Sequence, residues 1–287
     1  MNAPHPPQDE QTTLWNGRAG HAWVDLQEVL DGMFKPFEDL LVEAVPAGSG
    51  LRVLDIGCGT GSTTLALARR VGAKGHCTGI DISEPMLSTA RARAEREGTP
   101  ASFILANAQD HAFEPASFDR VSSRFGVMFF EDSVRAFTNL RRAAKDDAEL
   151  RFIAWRSPSE NPFMTTAERA AAPLLANLPA RRPDAPGQFA FADPHRVHRI
   201  LEESGWAGID VQPIDVSCTL PEKELVGYIS RLGPLGMILP QADDRTRAQV
   251  IETVRAAFEP YVHGAEVRFT AACWWVGARA PRQSAST

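Results

Sequence analysis

The spacing of apolar residues changes along this chain, and the changes mark out its elements. From Trp15 to Val45 apolar positions recur at three- and four-residue steps through Trp23, Leu26, Leu30, Met33 and Phe34. That period predicts helix, with breaks expected at Gly32 and Pro36. Leu51 to Ile56 is a short, largely apolar run, as a strand buried on both faces requires. A helix follows over 62–71, closed by Gly72. The next strand spans 75–81. Ser83 is suited to cap the helix after it, Pro85 fits its first turn, and Gly98 ends it. Strands over 102–105 and 118–123, a helix from Asp132 or Ser133 to Ala143, and a strand over 149–155 continue the alternation. Strands alternating with helices at this spacing predict a mostly parallel sheet covered on both faces.

The pattern changes beyond Trp155. Residues 156–193 are rich in proline and in alanine-rich helical turns, without a clear strand. A helix over 194–204, a strand over 209–220, a helical stretch over 222–261 broken at Gly233-Pro234, and a last strand over 267–276 complete the chain. No internal repeat is found.

Composition narrows the class of protein. With 287 residues, 44% of them apolar, the chain can bury a full core, and global disorder is excluded. No apolar run is long enough to span a membrane as a helix, and the N-terminal stretch lacks the apolar segment of a secretory signal. Formal net charge is -6 and the arginines are scattered among acids. This argues against nucleic acid as a partner. The four cysteines, Cys58, Cys77, Cys218 and Cys273, are far apart and show no metal-binding spacing, so reduced thiols in a cytoplasmic protein are expected. His195 and His198 stand three apart on one helix, but no metal site is expected.

The chemistry concentrates at Val53-Leu-Asp-Ile-Gly-Cys-Gly-Thr-Gly61. A strand runs into glycines at alternate positions, Gly57, Gly59 and Gly61, and a helix starts at once. Such a turn lets a ligand approach the backbone. The spacing differs by one residue from the dinucleotide pattern Gly-x-Gly-x-x-Gly. Asp55, two residues before the turn, would repel a pyrophosphate but suits a cation. Asp81 ends the second strand and can accept the two hydroxyls of a ribose.

These residues, with Gly79-Ile-Asp81, resemble the class I S-adenosylmethionine-dependent methyltransferases, and among them the ubiquinone/menaquinone C-methyltransferase-like small-molecule group. The resemblance covers Leu51 to Trp155. It implies a doubly wound, mostly parallel seven-stranded Rossmann-like α/β sheet with an antiparallel last strand and a helical cap. It implies S-adenosylmethionine as cofactor and S-adenosylhomocysteine as product. Asp55, Gly57, Cys58, Gly59 and Gly61 would hold the methionine end, Asp81 the ribose, and Ile82 and Met86 the adenine. Asn107, with Ala108 and Gln109, stands where the family carries an acid, and its amide oxygen can still accept from the adenine amino group. Ser123 and Arg124 follow the fourth strand, where the family faces the transferred methyl. Family members often have apolar residues or Asn there, so Arg124 needs its own explanation: an ion pair or a cofactor contact. Trp15 and Trp23 are placed to cover the cofactor or to pack in the core.

Methyl transfer from a sulfonium is an in-line displacement with an activated donor, so it asks mainly for apposition and exclusion of water. Should a base be needed, His21, His111 and His263 are the candidates. The domain division expected is a tail over 1–12, one methyltransferase domain over 13–280 and a tail over 281–287. Its core comprises 47–156, 194–220 and 266–280. Residues 13–46, 157–193 and 221–265 would form a cap. Phe163, Met164, Leu174, Leu175, Phe189, Phe191, Tyr228, Leu232, Leu235, Met237 and Leu239 make the cap apolar, which points to a hydrophobic or aromatic small-molecule acceptor and to a monomer or homodimer. An NAD-linked oxidoreductase on a related fold and a non-catalytic cofactor-binding or interaction protein remain the alternatives.

Overall fold

The computed structural model describes residues 10–175, 178 and 185–282. The tails expected over 1–9 and 283–287 lie outside them. Three helices open the described chain: α1 (Glu10–Asn16), α2 (Arg18–Asp25) and α3 (Gln27–Glu43). The alternating part follows as β1 (Arg52–Ile56), α4 (Ser62–Val71), β2 (His76–Asp81), α5 (Glu84–Glu97), β3 (Ala101–Leu105), β4 (Phe118–Arg124), α6 (Ser133–Ala143) and β5 (Ala144–Trp155). The remainder comprises α7 (Pro162–Ala171), α8 (Pro194–Glu203), β6 (Ala207–Pro221), α9 (Leu225–Arg231), α10 (Gly233–Ile238), α11 (Asp244–Ala257), β7 (Val262–His263) and β8 (Glu266–Arg279).

The strands join in the order β3-β2-β1-β4-β5-β8-β6, and the two-residue β7 pairs with β8 at one end. Pairings from β3 through β5 are parallel, whereas β8 runs antiparallel to both β5 and β6. The sheet is therefore the expected seven-stranded one with an antiparallel last strand. Strand order reverses at β1, which pairs with β2 on one side and β4 on the other. The carboxyl ends of β1 and β4 consequently flank a crevice, the place where open α/β sheets bind ligands. Val53, Leu54 and Ile56 are at most 1% exposed, as a central strand covered on both faces demands.

Two expectations about the N-terminal part need correction. Helix α1 starts at Glu10, inside the segment read as a tail. Helix α3 runs unbroken through Gly32 and Pro36. Proline removes one backbone bond and crowds the carbonyl four residues earlier, and that earlier residue is Gly32. Burial of Leu30, Met33, Phe34, Phe37 and Leu41 on one face outweighs the defect, at about 1.5–3 kcal/mol for each large side chain. The actual breaks fall at Gly17 and Leu26. At the other terminus Arg282 pairs with Asp147 and the Pro281 carbonyl accepts from Arg141, so 281–282 are tied to the sheet rather than belonging to a tail.

Candidate active site

The glycine turn is built by two glycines from different strands. A Cβ on Gly57 would stand 2.6 Å from Gly126 Cα, and one on Gly126 would stand 2.5 Å from the Ile56 carbonyl oxygen. Gly57 also has φ +63°, a region that L side chains rarely adopt. Only a pair of glycines lets the ends of β1 and β4 come this close. Gly126 has no motif of its own in the sequence; a glycine three residues beyond a strand end was the sole signal. Phe125, immediately before Gly126, sits at φ 67°. It is held there by its stack on Trp155, with ring centroids 4.7 Å apart, and by its N–H donating to the Ile153 carbonyl at 3.1 Å.

A continuous cavity of ≈ 530 Å³ lies over this turn. Asp55, Gly57, Cys58, Gly59, Asp81, Ile82, Met86, Asn107, Ala108, Arg124, Trp15 and Trp23 all line it. The Asp55 carboxylate is 1% exposed and accepts from Thr64 Oγ1 at 2.6 Å. Asp81 accepts the Gly59 N–H at 2.8 Å through one oxygen and the Ser83 N–H at 2.9 Å through the other. One lone pair on each oxygen is thus used to shape the turn, leaving acceptor capacity toward the cavity. Asn107 Oδ1 accepts the Gln109 N–H at 3.0 Å and so also braces its own loop. The Cys58 thiol is pushed up by burial and by the Asp81 and Asp55 carboxylates, so it stays protonated.

Three of the residues read as cofactor contacts do structural work instead. Ser123 Oγ donates to the Ile56 carbonyl at 2.8 Å and accepts the Gly126 N–H at 3.1 Å, which fastens β4 to β1 beneath the turn. Gln109 Oε1 accepts the Asp132 N–H at 2.9 Å and anchors the start of α6. Gly61, at φ +86°, sits where a Cβ would meet Ala90 Cβ at 2.9 Å, so it serves the packing of α4 on α5. None of these three lines the cavity.

The histidine bases are also corrected. His21 is exposed and its Nδ1 lies 2.8 Å from the Gly17 carbonyl oxygen. His111 packs edge-on to Phe113, and His263 is exposed on β7. None borders the cavity. Among the described residues no cluster of three or more His, Cys, Asp or Glu could hold a metal ion.

The N-terminal helices cover one side of the cavity. Trp15 meets Phe129 edge-on at 5.1 Å and Trp23 at 6.2 Å, and Trp23 stacks on Phe34 at 6.3 Å. A latch that sequence reading missed secures them. Asn16 Nδ2 donates to the Ile82 carbonyl at 2.8 Å and Asn16 Oδ1 accepts the Glu84 N–H at 2.9 Å. Ser83 Oγ adds a bond to the Trp15 carbonyl at 2.6 Å. The turn that carries Asp81 therefore also holds the cover. Besides a local bond to the Thr12 carbonyl, Asn16 has its partners more than sixty residues away, so nothing in the nearby sequence marks the latch.

The cavity is also lined by Phe163 and Met164 of α7, Tyr228 of α9, Leu232, and Leu235 and Met237 of α10. Leu174, Leu175, Phe189, Phe191 and Leu239 do not line it. Phe191 packs elsewhere in the core against Phe137 and Phe152. Tyr228 donates to Met164 Sδ at 3.6 Å, and burial pushes its pKa up, so it remains a neutral donor. Exposed Glu131 and Arg231 stand at the rim.

Asp55 carries a pH signature. Burial pushes its pKa up to about 7, and the charges of Asp81 and Glu38 add to this against the Thr64 bond and the Arg124 charge. The folded value exceeds the ordinary 3.8, so the folded state binds the extra proton. This contribution to stability is full below about pH 4 and is lost as pH rises through about 7. A cationic ligand favours the ionised form. Affinity for a cationic ligand facing Asp55 is therefore expected to rise about eightfold from pH 6 to 7.5 and to level off above. A dissociation constant flat over that range would contradict the pairing.

Strand order, the antiparallel insertion of β8 and paired acids at the glycine turn define a Rossmann-like methyltransferase architecture. A family model described as "Methyltransferase domain" matches residues 53–147. The nocamycin O-methyltransferase of Saccharothrix syringae is 30% identical over 210 residues, covering 68% of this chain and 73% of that one. The 2-phytyl-1,4-naphtoquinone methyltransferase of Trichormus variabilis is 31% identical over 145 residues, 50% of this chain and 61% of that one. The fold is shared with Haemonchus contortus phosphoethanolamine N-methyltransferase 2, with a TM-score of 0.60 at 17% identity, over 98% of this chain and 63% of that one. The chain belongs to the class I S-adenosylmethionine-dependent methyltransferases. It spans about 61% of the length of the first curated relatives it matches. Among the described residues no helix is long and apolar enough to cross a membrane.

Proposed function

We propose that this chain transfers a methyl group from S-adenosylmethionine to a hydrophobic or aromatic small molecule. The observation that carries the reading is the mixed lining of one cavity. Two buried carboxylates and a glycine turn share it with aromatic and aliphatic side chains of the cap. The lining fits the cofactor on chemistry: Asp55 suits a cation, Asp81 a ribose diol, and Ile82, Met86 and Ala108 an adenine face. Bound there, S-adenosylmethionine supplies a methyl already activated on sulfur.

The protein's share is positioning and dryness. The acids orient the cofactor, Trp15 and Trp23 close over it, and the cap presents apolar walls to the acceptor. Tyr228, kept neutral, can donate to an acceptor oxygen but cannot serve as a base near neutral pH. An acceptor that is already nucleophilic or acidic enough to ionise unaided suits such a site. The naphtoquinone and nocamycin in the names of two relatives are in keeping with an aromatic or polyketide-like acceptor.

The test is twofold. Calorimetry should detect S-adenosylhomocysteine but not NADH; the reverse result would favour the oxidoreductase. Labelled methyl transfer should then be seen with a panel of hydroxylated naphthoquinones and aromatic polyketides. Transfer confined to a basic peptide or tRNA would reject the small-molecule reading.

A further inference from the structure

Two buried polar atoms at the cofactor end lack any hydrogen-bond partner. They are Arg124 Nη1 and Thr63 Oγ1. Such orphans cost free energy that folding ordinarily avoids, so a buried pair calls for an explanation. Both residues line the same cavity. Thr63 is 3% exposed and lies in the first turn of α4, ten residues long, whose N-terminal position is Gly61 and carries no side-chain cap. The first turn of a helix attracts negative charge. The Arg124 guanidinium stands 5.8 Å over the Phe34 ring, which supports the cation without hydrogen bonding to it.

The surroundings restrict what can sit there. Arg124 follows Ser122, the register partner of Asp55, by two residues, and its charge acts on the Asp55 carboxylate. Asp31 and Glu38 of α3 and Arg93 of α5 also act on Arg124. Asp31 and Glu38 already have partners of their own: Arg93 at 2.9 Å for the first, Ser62 and Lys35 for the second. Neither acid lines the cavity, whereas Asp55, bonded to Thr64, does; one carboxylate and one guanidinium on adjacent strands thus face it, with a hydroxyl donor at a helix start. An α-amino acid carries its ammonium and carboxylate on a single carbon and matches this arrangement.

We propose that Arg124 and Thr63 bind the carboxylate of the cofactor's amino-acid end, while Asp55 faces its ammonium. The inference rests on the cofactor reading above and adds to it the two groups that select a zwitterionic ligand. Arg124 is then a cofactor-binding residue, and its place at the end of β4 is explained by the charge it answers.

Calorimetry with two ligands tests this: S-adenosylhomocysteine, and its analogue in which the carboxylate is replaced by hydrogen. The wild-type protein is expected to bind the first at least tenfold more tightly, since hydrogen bonds to a charged group are the strong kind. Arg124→Met and, separately, the near-isosteric Thr63→Val should each weaken S-adenosylhomocysteine while changing the analogue less than threefold, so that the gap narrows. Equal losses for both ligands, or an unchanged gap in both variants, would overturn the carboxylate assignment. Thr63→Val keeps side-chain volume and fills no new space, so it decides the matter should Arg124→Met fail to fold. If the wild-type protein binds neither ligand, the cofactor reading itself fails, and this inference with it.

Discussion

Replacing Asp81 by alanine is expected to weaken S-adenosylhomocysteine binding by about 2–3 kcal/mol, roughly 30- to 150-fold, because the charge-assisted bonds proposed between Asp81 and the ribose would be lost. The same change strands the N–H groups of Gly59 and Ser83, which now have the Asp81 oxygens as acceptors. A buried donor without a partner costs about 1–3 kcal/mol. The variant should therefore melt earlier as well as bind less. Asp81→Asn separates the two effects. It keeps one acceptor oxygen for the turn, so its melting temperature should lie nearer the wild type while its affinity stays low. Calorimetry and a thermal melt on both variants give the comparison. Unchanged affinity in a folded Asp81→Asn protein would remove Asp81 from the ribose site.

The second large effect is expected at the glycine pair. Gly57→Ala adds a methyl 2.6 Å from the Gly126 Cα at a backbone angle that disfavours it. Gly126→Ala presses 2.5 Å onto the Ile56 carbonyl. Overpacking of this kind costs about 1–3 kcal/mol, and the positive φ adds to it for Gly57. Both variants should lose stability and bind the cofactor at least tenfold less well, since the ends of β1 and β4 must separate to admit either methyl. Gly59→Ala separates backbone strain from overpacking, for it shares the positive φ, at +55°, but its Cβ would meet only Met86 Sδ at 3.7 Å. Denaturant titration should rank Gly59→Ala as the mildest of the three. A wild-type midpoint for Gly126→Ala would mean that the close approach of the strands does not matter.

How much of this was legible beforehand depends on how local each feature is. The glycine turn, Asp55 and Asp81 could be read because strand, turn and helix follow one another within thirty residues. Each position there has one geometric role. Trp15 and Trp23 were legible only as two options, and the fold puts both over the cavity. Ser123 and Gln109 bond within the scaffold rather than lining the cavity, for a simple reason. Residues at a strand end or in a tight loop can point into the crevice or back into the scaffold, and spacing does not say which. The three histidines were chosen for their chemistry alone, with no geometry to restrain the choice. Asn16, Thr63 and Gly126 escaped notice because their meaning lies in partners from distant segments. Pro36 misled in the opposite sense, since local propensity was overridden by the five apolar side chains that α3 buries.

The placing of β8 has a consequence for the order in which the molecule can assemble. Strand β6 joins the sheet through β8 alone, and β8 lies between β6 and β5. A chain emerging from the ribosome completes the segment from β1 to β5, with its cofactor end, before β8 exists. Until residues 266–279 arrive, β6 has no neighbour in the sheet and its fifteen residues offer unpaired backbone. Closure of that gap joins residues more than a hundred positions apart, a slow kind of contact to form. Helices α9 and α10, which lie between β6 and β8 in the chain and line the cavity, thus sit inside the loop that this late closure completes.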